Sequence, residues 1–208
     1  MTGFVLTVAQ QKGGAGKTTL AAHLAVAIAQ TGRSVAIMDI DPQGSLTAWC
    51  EARGETEPVI EHRQITGWRA ANEVERLARD FDLVIVDSPP HAETEARIAV
   101  RAADLVLLPV QPSPMDLWAT RPTIDLADTE KTPVLVVLNR VPARAKLSDE
   151  IIDQMDELGA DLAQTRVGNR IALASSLMKG RGVTETNRRS LAAEEIGELA
   201  AEVISRLN

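Results

Sequence analysis

Residues 4–23, FVLTVAQQKGGAGKTTLAAH, lead from an apolar strand through a glycine-bearing loop into the head of an amphipathic helix. This stretch constrains the fold most, because a strand and a helix joined by a short loop make one parallel βα unit. The loop also declares a chemistry. Phosphate oxygens need several donors at close range, and a side chain at every loop position would block their approach. Gly13, Gly14 and Gly16 remove those side chains and permit φ > 0, so successive backbone N–H groups around Ala15 can turn inward on one anion. The helix that begins near Gly16 adds its positive end, continued through Thr19. Lys17 reaches the β/γ-phosphates, and the Thr18 hydroxyl is set to ligate Mg²⁺. Gln11 stands where the usual pattern has glycine. Lys12 is a second lysine on the phosphate side of the loop. Alone it reads as a solvated loop charge, but two cations make sense if one serves a different nucleotide across an interface.

The rest of the chain repeats the unit. Strands are expected near 4–9, 34–39, 83–87, 105–109 and 134–138, with a further one at 161–167. Most lack period-two alternation, as parallel strands covered on both faces do. Helices are expected near 17–30, 45–53, 68–79, 92–102, 117–129, 147–158, 170–178 and 190–206. Gly32 and Gly159 fall where helix C-termini favour a left-handed residue. The alternation predicts an α/β fold: a doubly wound, mostly parallel sheet with helices on both faces and ligand chemistry at the strand C-terminal ends. Gln11, Asp39, Asp87 and Asn139 each follow a strand, as that rule requires. Residues 54–66, with Pro58 and the adjoining Gly67, carry no readable pattern. No internal repeat or low-complexity linker divides the chain, so residues 1–208 are expected to form a single domain.

Lys12-Gly-Gly-Ala-Gly-Lys-Thr-Thr19 resembles the deviant Walker A motif of the ParA/MinD ATPases, with Lys12 at the position of their signature lysine. Asp39-Ile-Asp41-Pro-Gln-Gly-Ser45 is similar to the family's first switch segment. The apolar strand through Phe81-Asp-Leu-Val-Ile-Val-Asp87 ends like its Walker B strand. Asp104–Pro112 and Val134–Arg140 resemble two further blocks, so the likeness spans residues 4 to 140 and weakens toward about 185. The short ParF-like members are closest in shape. The resemblance implies a P-loop NTPase fold, ATP and Mg²⁺, and a homodimer formed with ATP. It also implies an adaptor protein, ParB- or ParG-like, that stimulates hydrolysis.

The resemblance also distributes roles. Lys17 would hold its own nucleotide, while Lys12 would act across the dimer. Asp41 would position the attacking water and, with Thr18 and Asp87, hold the metal. Asp87 ends an apolar strand, where a carboxylate is costly unless a cation or hydrogen bond meets it, and would contact Mg²⁺ through water. Asp39 reads as a brace for the loop or the metal's outer shell. Ser45 reads as the N-cap of the helix that follows. Asn139 would contact an adenine edge, and the segment from Leu107 to Pro114 would lie beside the dimer face. His91 and Trp68 read as a solvated loop residue and a packing residue.

Charge bears on the partner. The chain carries −7 overall, which argues against indiscriminate affinity for nucleic acid. Residues 162–193 differ, with Arg166, Arg170, Lys179, Arg181, Arg188 and Arg189 against Glu185 alone. In ParA proteins this region binds double-stranded DNA without sequence preference once a dimer doubles the patch, and the resemblance implies the same here. The chain begins at its first strand, which leaves no expected helix-turn-helix for operator binding. A MinD-like membrane role would need a basic amphipathic C-terminal helix, whereas Glu194–Asn208 holds four glutamates and one arginine, so no membrane partner is expected. A P-loop phosphotransferase acting on a small molecule is the other alternative, but it would not need Lys12 and the Asp-Pro-Gln segment. The single Cys50 excludes an intrachain disulfide, and no leader is expected ahead of the first strand. The expected location is cytoplasmic and nucleoid-associated.

Overall fold

The computed structural model describes residues 2–65, 67, 69–90, 93–143 and 159–207. Its strands are β1 (Phe4–Val8), β2 (Val35–Asp39), β3 (Glu61–Gln64), β4 (Leu83–Asp87), β5 (Leu105–Val110), β6 (Val134–Leu138) and β7 (Asp161–Leu162). The helices are α1 (Lys17–Ala29), α2 (Ser45–Arg53), α3 (Arg69–Asp80), α4 (Glu93–Arg101), α5 (Pro114–Trp118), α6 (Arg121–Glu130), α7 (Ile171–Leu177), α8 (Val183–Thr186) and α9 (Leu191–Leu207). The strands pair in parallel in the order β3-β2-β4-β1-β5-β6-β7. Strands are added on one side of β1 first and on the other side afterwards. The sheet therefore switches direction at β1, and a crevice opens where the glycine loop leaves that strand.

Alternate strand residues feed two cores. Leu83 and Ile85 of β4 join Leu6, Val35 and Ile37 beneath α1, α2, α7 and α9. Val84 and Val86 join Ala36 and Met38 beneath α3 and α4. Both cores bury whole rows of branched side chains, which is why the strands show no polar alternation. The helix α1 departs from expectation. It is apolar all round, with Leu20 through Ala29 buried, because α7, α8 and α9 cover the side turned from the sheet.

Several boundaries are corrected. The strand β3 went unread because Glu61-His-Arg-Gln64 is polar; it lies at the sheet edge, where polar residues discourage further pairing. The expected strand 161–167 shrinks to two residues and continues as extended chain to the Val141–Gly168 bridge. The helix expected at 117–129 is two helices. Pro122 has no N–H to continue α5, so α6 restarts there, and Ser113 caps α5 at its own start. The expected helix 147–158, and the readings of His91 and Trp68, lie outside the described residues.

Candidate phosphate-binding site

The loop between β1 and α1 is built for close approach. Gly14 has φ 80° and Gly16, the N-cap of α1, has φ 94°. Gly13 lies outside the left-handed region, so the conformational freedom expected there is unused. A Cβ at Gly13 or Gly14 would meet nothing within 4 Å, so both face open space that an anion can fill. At Gly16 the constraint is protein: a Cβ would lie 2.4 Å from Asn139 Nδ2. That approach carries a bond, since Asn139 Nδ2 donates to the Ala15 carbonyl at 2.7 Å while its Oδ1 accepts from the Arg140 N–H. Asn139 is buried, and what it does here is brace the loop.

The two lysines part company. Lys17 is buried, and its Nζ donates to the Gln10 carbonyl at 3.1 Å. Burial holds its pKa below the usual lysine range against the raising pull of Asp87 and Asp41. Lys12 is more exposed, and its Nζ lies 2.9 Å from Asp116 Oδ2 on α5.

The carboxylates divide as sharply. Thr18 Oγ1 donates to Asp87 Oδ2 at 2.6 Å, while Asp87 Oδ1 is buried with no hydrogen-bond partner. Burial pushes the Asp87 carboxyl up to about 7; Asp39 and Asp41 add to the rise, and Thr18 and Lys17 oppose it. An orphaned buried carboxylate oxygen beside a hydroxyl fits a hard divalent cation. Asp39 is spent on the backbone: Oδ1 accepts from the Asp41 N–H, and Oδ2 from both the N–H and the hydroxyl of Thr47. Thr47 is the third residue of α2, so Asp39 caps that helix from the end of β2. Ser45 is therefore not the cap. Gly44 holds the N-cap position at φ 65°, and Ser45 is the first helical residue. Asp41 sits at the mouth, its Oδ1 accepting from the Gln43 N–H.

A cleft of about 600 Å³ joins Gly13, Gly14, Thr19 and Asp41 to Trp49, Arg140 and Met178. Clefts of about 630 and 770 Å³ lie elsewhere, between α4 and α6 and between α1 and α9, so volume does not single out the site. The glycine cradle and the Thr18–Asp87 pair do.

The basic stretch is less uniform than its sequence. Arg166, Lys179, Arg188 and Arg189 are exposed. Arg170 is committed to Glu195 on α9, and Arg181 lies 3.8 Å from Glu185. The apolar face of α9, with Ile196, Leu199, Val203 and Leu207, is buried in the core shared with α1. No helix among the described residues is long and apolar enough to cross a membrane.

Sequence reasoning missed three contacts that tie the site to the body. Asp116 was passed over, although Ser113-Pro114-Met115-Asp116 has the spacing of a helix start. Arg53 of α2 makes a two-pronged pair with Glu185 and also donates to the carbonyls of Gly180 and Pro58. His23 of α1 accepts from the Val183 N–H at Nδ1 and meets the Leu173 carbonyl at Nε2.

Comparison with known proteins agrees with this geometry. The family described as the CobQ/CobB/MinD/ParA nucleotide binding domain matches residues 6–183. The maintenance of carboxysome distribution protein A of Halothiobacillus neapolitanus is 30% identical over 209 residues, covering 97% of this chain and 96% of that one. The chromosome-partitioning ATPase Soj of Thermus thermophilus is 26% identical over 239 residues, covering 97% and 96%. Among solved structures, the cell division ATPase MinD of Pyrococcus furiosus superposes with a TM-score of 0.82 at 20% identity, covering 98% of this chain and 99% of that one. An Asp-to-Ala variant of Cyanothece McdA in complex with ATP superposes with a TM-score of 0.77 at 22% identity, covering 98% and 97%.

Proposed function

The chain belongs to the CobQ/CobB/MinD/ParA nucleotide-binding domain family, and from that premise we propose a magnesium-dependent ATPase that dimerises around two ATP molecules and positions a cargo on non-specifically bound DNA. The observation that carries the nucleotide chemistry is the open glycine cradle beside the orphaned Asp87 Oδ1. Backbone N–H groups of residues 13–19 and the Lys17 ammonium bind the phosphates. Thr18 and Asp87 hold Mg²⁺, which when bound neutralises charge on the phosphate oxygens. Asp41, at the mouth, orients the attacking water. Asp39 and Asn139 keep the two walls of the site in register by bonding to backbone. Lys12 is paired with Asp116 and is not among the residues that line the cleft at its own cradle, which supports a role at a partner's nucleotide.

A homodimer gives this chemistry a switching output. ATP shifts the monomer–dimer balance only through its different affinity for the two states, and hydrolysis resets it. The exposed Arg166, Lys179, Arg188 and Arg189 support contact with DNA phosphates, two weak patches acting together in the dimer. The relatives named for chromosome partitioning and carboxysome distribution support cargo positioning. An adaptor protein that triggers hydrolysis completes the reading. The buried apolar face of α9 leaves it without a free membrane-binding stripe. The reading is tested by ATP turnover with and without Mg²⁺, together with mobility shifts of unrelated duplexes in ATP and in ADP. Turnover that needs Mg²⁺ and DNA binding that needs ATP are expected; equal binding in ADP rejects the DNA reading.

A further inference from the structure

Lys12 is held by a residue from a distant part of the chain. Its Nζ lies 2.9 Å from Asp116 Oδ2, and Asp116 itself is only 6% exposed. The carboxylate is anchored in turn: the Ser113 hydroxyl donates to Asp116 Oδ2, and the Asp116 N–H donates to Ser113 Oγ. A second tie runs in parallel, since Gln111 Nε2 donates to the Gly14 carbonyl at 3.5 Å. The segment after β5 thus grips the phosphate loop at two points, and one of them is the lysine that the cradle does not use. Met115 and Trp118, on the same short helix as Asp116, are each 70% exposed.

We propose that Asp116 is a positioning residue for Lys12, holding the ammonium off its own nucleotide and presenting it to the nucleotide of a second copy of this chain. The inference rests on the cross-subunit role proposed above for Lys12. A lysine unpaired at this position has a flexible four-carbon stem and a triphosphate of its own within the same loop, so local attraction would draw it inward. A buried carboxylate removes that choice. An ammonium has three donors, and Asp116 occupies only the side facing it, so the remaining N–H groups stay available to an anion approaching from outside. The lysine side chain is 37% exposed, which is the condition such an approach needs.

The test compares Asp116→Asn, Asp116→Glu, Ser113→Ala, Lys12→Gln and the double Asp116→Asn/Lys12→Gln variant, each full length. Nucleotide affinity is read by calorimetry with AMP-PNP and Mg²⁺, and dimer formation by sedimentation velocity under the same conditions. Asp116→Asn is expected to bind nucleotide as tightly as the parent or more tightly, yet to dimerise about tenfold more weakly. Asp116→Glu, which keeps the charge, recovers part of the loss and guards against a folding defect in the amide variant. Ser113→Ala keeps the carboxylate but removes the hydroxyl that anchors it, so it dimerises more weakly than the parent and better than Asp116→Asn. The double variant is no worse than Lys12→Gln alone, because the two residues act through one ammonium. If Lys12→Gln fails to dimerise while Asp116→Asn matches the parent, the positioning role is overturned and the cross-subunit lysine stands. If Lys12→Gln itself dimerises normally, the cross-subunit reading falls and this inference falls with it.

Discussion

Lys17 and Asp87 are both buried and feel each other's charge, and burial costs each of them stability as a charge. A nucleotide and a metal bound as proposed would supply what both lack. Lys17→Ala is therefore expected to lose nucleotide binding outright, because it removes the ammonium proposed to meet the phosphates, whose one hydrogen bond among the described residues is to the Gln10 carbonyl. Asp41 differs in kind. It accepts one backbone bond at the mouth, and its loss leaves the cradle, Thr18 and Asp87 untouched. Asp41→Ala should bind ATP like the parent and form a dimer that persists, with turnover reduced about 100-fold or more as the water loses its orienter. Chromatography with ATP and Mg²⁺, followed by assay of ADP formed, checks this; turnover at the parent rate would make Asp41 a turn residue only.

Among the elements, α2 links the mouth of the site to the basic surface. Its N-terminus is capped by Asp39, and its C-terminal Arg53 is locked into Glu185, which also accepts from the Gly182 N–H. Arg53 also lies over the Trp49 ring. The packing is close enough that a Cβ at Gly180 would sit 2.3 Å from the Arg53 nitrogen. Removing one partner of a buried pair leaves the other charged and unsolvated. Arg53→Ala is expected to destabilise the protein by about 3–5 kcal/mol, whereas Arg53→Met with Glu185→Met recovers only part of the loss, because the Gly180 and Pro58 carbonyls and the Gly182 N–H lose their partners. Urea unfolding of the three proteins measures both numbers. A single variant within about 1 kcal/mol of the parent would mean that water reaches Glu185.

At the scale of the molecule, His23 joins the phosphate-loop helix to α7 and α8 from the middle of the core. Burial lowers its pKa to about 4, partly offset by the Leu173 carbonyl and by Glu185. The folded state thus resists a proton that the unfolded chain accepts at about 6.5. Stability from this residue is complete above about pH 6.5 and is lost as the pH falls toward 4, by about 3 kcal/mol. Denaturant midpoints between pH 7 and 5 should fall more steeply for the parent than for His23→Gln; parallel slopes would show that the folded ring takes up its proton as the unfolded one does. The net charge of −7 sets the other expectation at this scale. Charge reversal at Arg188 and Arg189 should weaken ATP-dependent DNA binding equally for unrelated sequences and flatten its salt dependence. Arg170 is a poor choice for that experiment, since its reversal would set like charges against Glu195 and unsettle α9.

Read from the sequence alone, the glycine loop, the strands that end in Asp39 and Asp87, the strand just before Asn139, and the doubly wound sheet were all legible. Each depends on residues adjacent in the chain: glycines that let neighbouring N–H groups converge, or apolar runs that demand cover on both sides. The polar edge strand β3 was hidden because nothing needs to cover its outer side, and the break between α5 and α6 hung on the single missing N–H of Pro122. What only the tertiary structure decided is where each charge goes. Lys12 to Asp116, Arg53 to Glu185, Arg170 to Glu195 and Asp39 to the third residue of α2 are choices among many possible partners. Local pattern does not make them, because charge pairing is settled by which surfaces the packed core brings within a few ångströms and shields from water.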